Sequence, residues 1–177
     1  MGEPGPDSVA AELTTWIGQM PDGVDQDIEA ARQRIGRISR QFGQVLASAA
    51  ARHELTVGDW EALSALQRSG PVCTPKQIAA MLGLTAGTVS IRIDRLLQAG
   101  LVEPVAAADG RSRPVRLTRK GRHRWRAATQ ARVDHERQIF AEALTSEQLA
   151  QLNPLLTALL AGFEAEFGPA SRHDVTR

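Results

Sequence analysis

The chain has 177 residues, 42% of them hydrophobic, and a formal net charge of +1; that is enough apolar material for one ordinary core, and no run approaches the roughly eighteen consecutive apolar residues of a membrane span. A single cysteine, Cys73, excludes an internal disulfide and a cysteine-built zinc cage, and MGEPGPDSVA lacks the cationic and apolar stretches of a secretory leader, so a cytoplasmic protein is expected. The near-neutral total hides a segregation: residues 1–30 hold seven acids and no Lys or Arg, whereas residues 86–126 hold ten Lys or Arg against three acids, a concentration that points to a polyanionic partner.

Asp7 or Ser8 can cap a short helix that places Val9, Leu13, Trp16, Ile17 and Met20 on one face, and MPDG ends it. A long helix is expected from about Asp25 to Arg52. Its apolar positions Ile28, Ala31, Ile35, Ile38, Phe42, Val45 and Ala49 alternate by threes and fours, which makes a seam for other helices. LTVGDWEALSALQRSG gives a third helix with Trp60, Leu63 and Leu66 inward, ended by Gly70-Pro71. TPKQIAAMLG opens with Thr74 as N-cap, Pro75 at the first helical position and Gln77 closing a capping box, and this helix stops at Gly83. Thr85 caps the next helix, which closes at Gly100.

The period then changes. LVEPV and PVRLT are short β-prone runs around the polar AAADGRSR and read as a hairpin, with Pro114 suiting an edge strand. Thr118 can cap a long helix from about Arg119 to Ala143. A capping box at Thr145-Ser-Glu-Gln148 opens the last helix, to about Phe167, in which Pro154 predicts a kink or break.

Two short helices joined by a tight Gly-containing turn and followed by a hairpin make a winged helix-turn-helix. Ile78, Met81 and Leu82 are expected inward on the first helix, and Val89, Ile93, Leu96 and Leu97 on the second. The other face of the second helix offers Thr85, Gly87, Thr88, Ser90, Ile91, Arg92 and Arg95, a small and hydroxyl-bearing turn that can enter a major groove. Arg111 and Arg113 fall at the hairpin tip, where arginine suits a narrow minor groove, and Asp109 can hold the Arg111 guanidinium. Arg116, Arg119, Lys120, Arg122, Arg124 and Arg126 flank the wing; Arg124 and Arg126 read as solvated.

The stretches LTVGDWEALSALQRSG, TPKQIAAMLGLTAGTVSIRIDRLLQAGLVEP and ADGRSRPVRLTRKG resemble the MarR family of bacterial transcription regulators. The last carries the family's wing pattern as Asp109, Arg111, Leu117, Thr118 and Gly121, with Arg119 in place of the usual Pro. The resemblance implies a mainly α fold with a small β-hairpin wing, the winged helix-turn-helix being flanked by N- and C-terminal dimerisation helices. It divides the chain into 1–54 (extra N-terminal helix and long dimerisation helix), 55–121 (DNA-binding domain) and 122–177 (C-terminal dimerisation helices). It implies a homodimer on a pseudo-palindromic operator of double-stranded DNA, released from it by a small anionic or aromatic effector. The apolar seam from Ile28 to Ala49 and the row Leu149, Leu152, Leu155, Leu156, Leu159, Leu160 and Phe163 support a two-fold partner independently.

One urate-responsive subfamily has an extra N-terminal helix bearing a Trp, an acid before the helix-turn-helix and two arginines around the recognition helix. The resemblance to it is partial: Trp16, Glu61 and Arg92 match, while Pro104 stands at the second arginine position. Those three residues are the candidate ligand contacts. Each also has a plainer reading, Trp16 as a core anchor, Glu61 as an ion-pair partner and Arg92 as a phosphate contact. His53, His123, His135 and His173 show no metal-ligand spacing, no cofactor is implied, and no nucleophile–base pairing or phosphate loop points to an enzyme. A sequence-specific regulator, acting as a repressor, is therefore weighed against a non-specific or architectural DNA binder and against a winged helix that only binds protein.

Overall fold

Among the described residues of a computed structural model, 5–106 and 113–169, the elements run α1 (Ser8–Ile17), α2 (Gln26–Arg52), α3 (Val57–Ser69), α4 (Pro75–Leu82), α5 (Ala86–Gln98), β1 (Val102–Pro104), β2 (Val115–Leu117), α6 (Arg119–Ala143) and α7 (Ser146–Phe167). The chain divides into two units, Met1–Leu46 and Ala47–Arg177.

In the first unit Asp7 caps α1, its carboxylate accepting from the Ala10 N–H at 2.8 Å and pairing with Arg34 at 2.7 Å. Asp25 does the same for α2, accepting from the Asp27 and Ile28 N–H groups. The two helices are tied through Glu29, which is buried. Its carboxylate accepts from Arg32 at 2.6 and 2.7 Å, from the Trp16 indole N–H at 2.8 Å and from the Gln33 amide at 3.0 Å. The Arg32 guanidinium first, then Gln33 and Trp16, hold this carboxyl down at about 2. Ile28, Ile35 and Ile38 of the expected seam lie exposed along α2.

In the second unit Ala62, Leu63, Ala65 and Leu66 of α3, Ile78 and Leu82 of α4, and Val89, Ile93 and Leu96 of α5 close one core with Leu101, Val102, Val115, Leu117 and Ala128. Helix ends form where side chains satisfy the first N–H groups. Thr56–Asp59, Thr74–Gln77 and Thr145–Gln148 are complete capping boxes. Gly83 takes the left-handed conformation, φ +63°, that lets the chain turn from α4 into α5.

The hairpin pairs Val102 with Leu117, Glu103 with Arg116 and Pro104 with Val115. The strand opened by Pro114 is not an edge at Val115: Cys73 exchanges both backbone hydrogen bonds with it, at 3.0 and 2.9 Å, from the other side. Cys73 is thereby buried against β2 through a single bridge. Met81 is 39% exposed rather than inward, because its sulfur sits at the rim of α4 beside the Ser69 hydroxyl. No break appears at Pro154. α7 runs through it and buries no residue of its own, leaving Leu155, Leu156, Leu159, Leu160, Phe163 and Phe167 at the surface.

The wing is locked to α6 at one junction. Thr118 caps α6, accepting from the Gly121 N–H at 3.0 Å, while its hydroxyl reaches the Gly100 and Leu101 carbonyls at 2.8 and 3.1 Å. A Cβ on Gly121 would stand 1.9 Å from the Leu101 carbonyl oxygen.

Two outcomes follow from these contacts. Gly121→Ala forces backbone apart at the α5–β1 turn and should cost more than about 3 kcal/mol in urea unfolding; a loss below about 1 kcal/mol would contradict the junction. Glu29 is depressed in the folded state, so its contribution is complete above the ordinary glutamate value of 4.5 and is lost as pH falls toward about 2. The Trp16 indole N–H resonance should keep its docked position at pH 5 and lose it near pH 2, and Glu29→Gln should abolish that titration. A resonance indifferent to pH in the wild type would contradict the tie.

Candidate nucleic-acid interface

The expected groove face is assembled by α5. Its N-cap Thr85 accepts from the Thr88 N–H at 3.2 Å, and the two hydroxyls lie 2.9 Å apart. Ser90 donates to the Ala86 carbonyl at 2.9 Å, which keeps it close to its own helix. Thr85, Gly87, Thr88, Ser90 and Ile91 are all exposed, Ile91 at 69%. No atom lies within 4 Å of where a Gly87 side chain would begin, so the backbone there is open to close approach. The first turn of α5 holds no acid, and its N–H groups present the positive end of the helix dipole outward. Such a turn suits an anionic backbone and the shallow polar edges of bases.

The two arginines of α5 behave differently from its hydroxyl residues. Arg95 donates to the buried Asp59 carboxylate at 2.6 and 2.8 Å and to the Thr56 hydroxyl at 2.9 Å. Arg92 pairs with Glu61 at 2.7 Å, both side chains largely covered. Gly58 makes that possible, since a Cβ there would meet the Arg92 guanidinium at 2.8 Å. Both arginines thus tie α5 to α3. Of the three candidate ligand contacts, the fold brings Glu61 and Arg92 together; Trp16, in the first unit, donates to Glu29. Among the described residues, no group of three or more His, Cys, Asp or Glu is placed to hold a metal, and no helix is long and apolar enough to cross a membrane.

The basic run is divided in the same way. Arg113 is exposed two residues before β2, and Asp109 and Arg111 lie outside the described residues. Arg116 pairs with Glu103 at 2.6 Å across the hairpin. Lys120 and Arg122 each donate at 2.8 Å to a carbonyl, of Ala99 and Leu117 respectively. Arg124 is not solvated: it pairs with Glu54 at 2.7 Å, with 23% of its side chain exposed. Arg119 and Arg126 remain outward.

One residue of this surface escapes a reading made for basic and hydroxyl groups. Asp94 is exposed one turn beyond Ile91, on the row that starts at Gly87. A carboxylate there repels phosphate and accepts from the cytosine amino group. The i, i+4, i+7 spacing was the available signal.

A sequence model of the MarR family matches residues 53–112, from the end of α2 into the hairpin. The HTH-type transcriptional regulator PecS of Dickeya dadantii (strain 3937) is 26% identical over 144 residues, covering 80% of this chain and 86% of its own. YusO of Bacillus subtilis matches with a TM-score of 0.66 and 19% identity, over 80% of this chain and 99% of that one. A mutant MarR from E. coli, in complex with operator DNA, matches with a TM-score of 0.60 and 23% identity, over 79% and 99%. The solved structures establish a shared fold.

The separation of roles on α5 has a measurable consequence. Asp59→Ala removes a cap of α3 and the anchor of Arg95 together, and should cost about 2–3 kcal/mol in urea unfolding. Asp94→Ala should stay within about 0.5 kcal/mol of the wild type. Equal losses from the two would show that Asp59 is not the anchor.

Proposed function

We propose that this chain is a transcriptional regulator of the MarR family, whose sequence model matches residues 53–112, and that it acts as a homodimeric repressor that binds a pseudo-palindromic operator and is released by a small anionic or aromatic ligand. The observation that carries the reading is the division of labour on α5. Its arginines fasten the helix to α3, while the small exposed face from Thr85 to Ile91 stays available.

In this reading Thr85, Gly87, Thr88, Ser90 and Ile91 enter the major groove, Thr88 and Ser90 at phosphate or base edges and Ile91 against a thymine methyl. Arg95, half exposed at its Asp59 anchor, lies within reach of a flanking phosphate. Arg111 and Arg113 follow the minor groove, Arg111 steadied by Asp109. The dimer is supported by α7, a helix of 22 residues with a surface row of Leu and Phe and nothing buried. The effector step is supported by the Glu61–Arg92 pair. An anion that competes with Glu61 for Arg92 would loosen one of the two ties that orient α5, and operator DNA must then weaken that ligand by the same factor.

A non-specific DNA binder on the same fold is the alternative. Against it stands the partnering of Arg116, Lys120, Arg122 and Arg124 within the chain, which leaves fewer cations for indiscriminate phosphate contact.

Titration of a captured genomic fragment against random duplex tests the reading. The wild type should prefer the fragment by about 10³ or more. Arg111→Ala should weaken it by roughly 1–3 kcal/mol and lower the salt slope by about one, with Arg126→Ala nearly silent. A preference below about tenfold would favour the non-specific alternative, and equal effects from the two variants would remove the wing from the interface.

A further inference from the structure

Asp94 is the one acid of α5. It is exposed and makes no hydrogen bond or ion pair among the described residues. Nothing within the helix accounts for it. Thr85 is the N-cap, so Asp94 does not start the helix. It stands in the C-terminal half, where the helix dipole disfavours a negative charge. The positions three and four residues away hold Ser90, Ile91, Leu97 and Gln98, none of them a cation. The two arginines near it in sequence, Arg92 and Arg95, are held by Glu61 at 2.7 Å and by Asp59 at 2.6 Å. Aspartate is also a poorer helix former than alanine.

Its place on the outer face does account for it. At about 100° per residue, α5 brings Asp94 back to within roughly 20° of Gly87, with Ser90 on one side and Ile91 on the other. Gly87, Ile91 and Asp94 thus form one exposed row. Along the axis Asp94 lies about 10 Å beyond Gly87 and about 4.5 Å beyond Ile91. The row has no side chain longer than isoleucine, and the space beside Gly87 is open. A helix laid along a groove by this row can approach closely enough for the short Asp94 side chain to reach base edges.

An acid on such a face repels phosphate whatever the sequence. It gains only where a base offers a donor, because an ionised carboxylate accepts hydrogen bonds and donates none. In the major groove guanine and thymine present acceptors, whereas adenine and cytosine carry an amino group. Adenine's lies between two acceptors, its own N7 and the O4 of the paired thymine. Cytosine's has an acceptor on one side alone, the O6 of the paired guanine. The carboxylate is therefore repelled least, and bonded best, at cytosine.

We propose that Asp94 is a specificity residue that selects a cytosine in each operator half-site. At 3.4 Å per base pair, its separation from Ile91 puts that cytosine within about two base pairs of the thymine that Ile91 meets. This inference rests on the regulatory reading above and names a base that the helix selects.

Selection of binding sites from a random duplex pool, with the full chain, tests it. Wild-type sites should share a cytosine, within about two base pairs of a thymine, in each half-site. Replacing that cytosine by thymine in the selected operator should weaken the wild type about tenfold, the effect of losing one base-edge contact. The same replacement should change the affinity of Asp94→Ala by less than about twofold. Pools selected with Asp94→Ala, or with the isosteric Asp94→Asn, should lose the cytosine preference at that position and keep the preferences elsewhere. Urea unfolding of each variant beside the wild type checks that the fold is intact. A wild-type operator without such a cytosine, a cytosine preference that persists in either variant, or a loss of preference at every position alike would each overturn the proposal. A wild-type pool that stays random would overturn the regulatory reading with it, whereas an operator selected without this cytosine leaves that reading standing.

Discussion

The carboxylate of Asp59 is the point on which the second unit turns. It is buried, and it accepts from the Thr56 backbone and hydroxyl at 2.9 and 2.7 Å and from Arg95 at 2.6 and 2.8 Å. One side chain therefore starts α3 and holds α5 against it. A buried carboxylate is costly unless its lone pairs are occupied; here four donors occupy them, and two come from the helix that must be aimed. Arg92 and Glu61 add a second tie on the same side, in space that Gly58 leaves open. With its long side chains turned back toward α3, α5 presents outward a surface of hydroxyls, a glycine and Ile91. Its shape is set by backbone and short side chains, which lose little conformational freedom when they meet a groove.

The charge segregation of the chain has a related explanation. Of the eight Lys or Arg between 111 and 126, four act within the unit: Arg116 across the hairpin, Lys120 and Arg122 on carbonyls around the α6 start, and Arg124 on Glu54. They surround the junction at which Thr118 and Gly121 press the wing onto the α5–β1 turn. Half of the basic run is thus the fastening of the wing. At the other end of the chain, the acids of residues 1–30 serve α1 and α2. Asp7 and Asp25 cap, and Glu29 gathers four donors from Trp16, Arg32 and Gln33.

Local chemistry was legible in the sequence where it depends on neighbours three or four residues apart. The Thr74–Gln77 and Thr145–Gln148 boxes, the Thr85 and Thr118 caps and the turn at Gly83 stand where spacing put them. So does the hairpin between Val102 and Leu117. What was illegible joins distant positions. Asp59 meets Arg95 across 36 residues, and Cys73 pairs with Val115 from the opposite side of the strand that Pro114 opens. A pattern of period 3.6 assigns a face but not a depth, which is why Met81 was expected inward and stands at the rim. Proline's missing N–H predicts trouble in mid-helix, yet an exposed helix such as α7 can carry Pro154 without ending. The hydroxyl and glycine positions expected on the outer face of α5 stand exposed, while its arginines fasten the helix to α3 and Asp94 joins the exposed row.

Orientation of α5 by Asp59 is the central claim, and the ratio of operator to random-duplex affinity measures it most directly. Phosphate attraction is insensitive to a small tilt of the helix, whereas base readout is not. In Asp59→Asn, at a temperature where the variant is fully folded, the ratio should fall at least tenfold from about 10³ while random-duplex affinity stays within a factor of about two. A variant that keeps the wild-type ratio would contradict the account, because α5 would then be aimed by something other than its tie to α3.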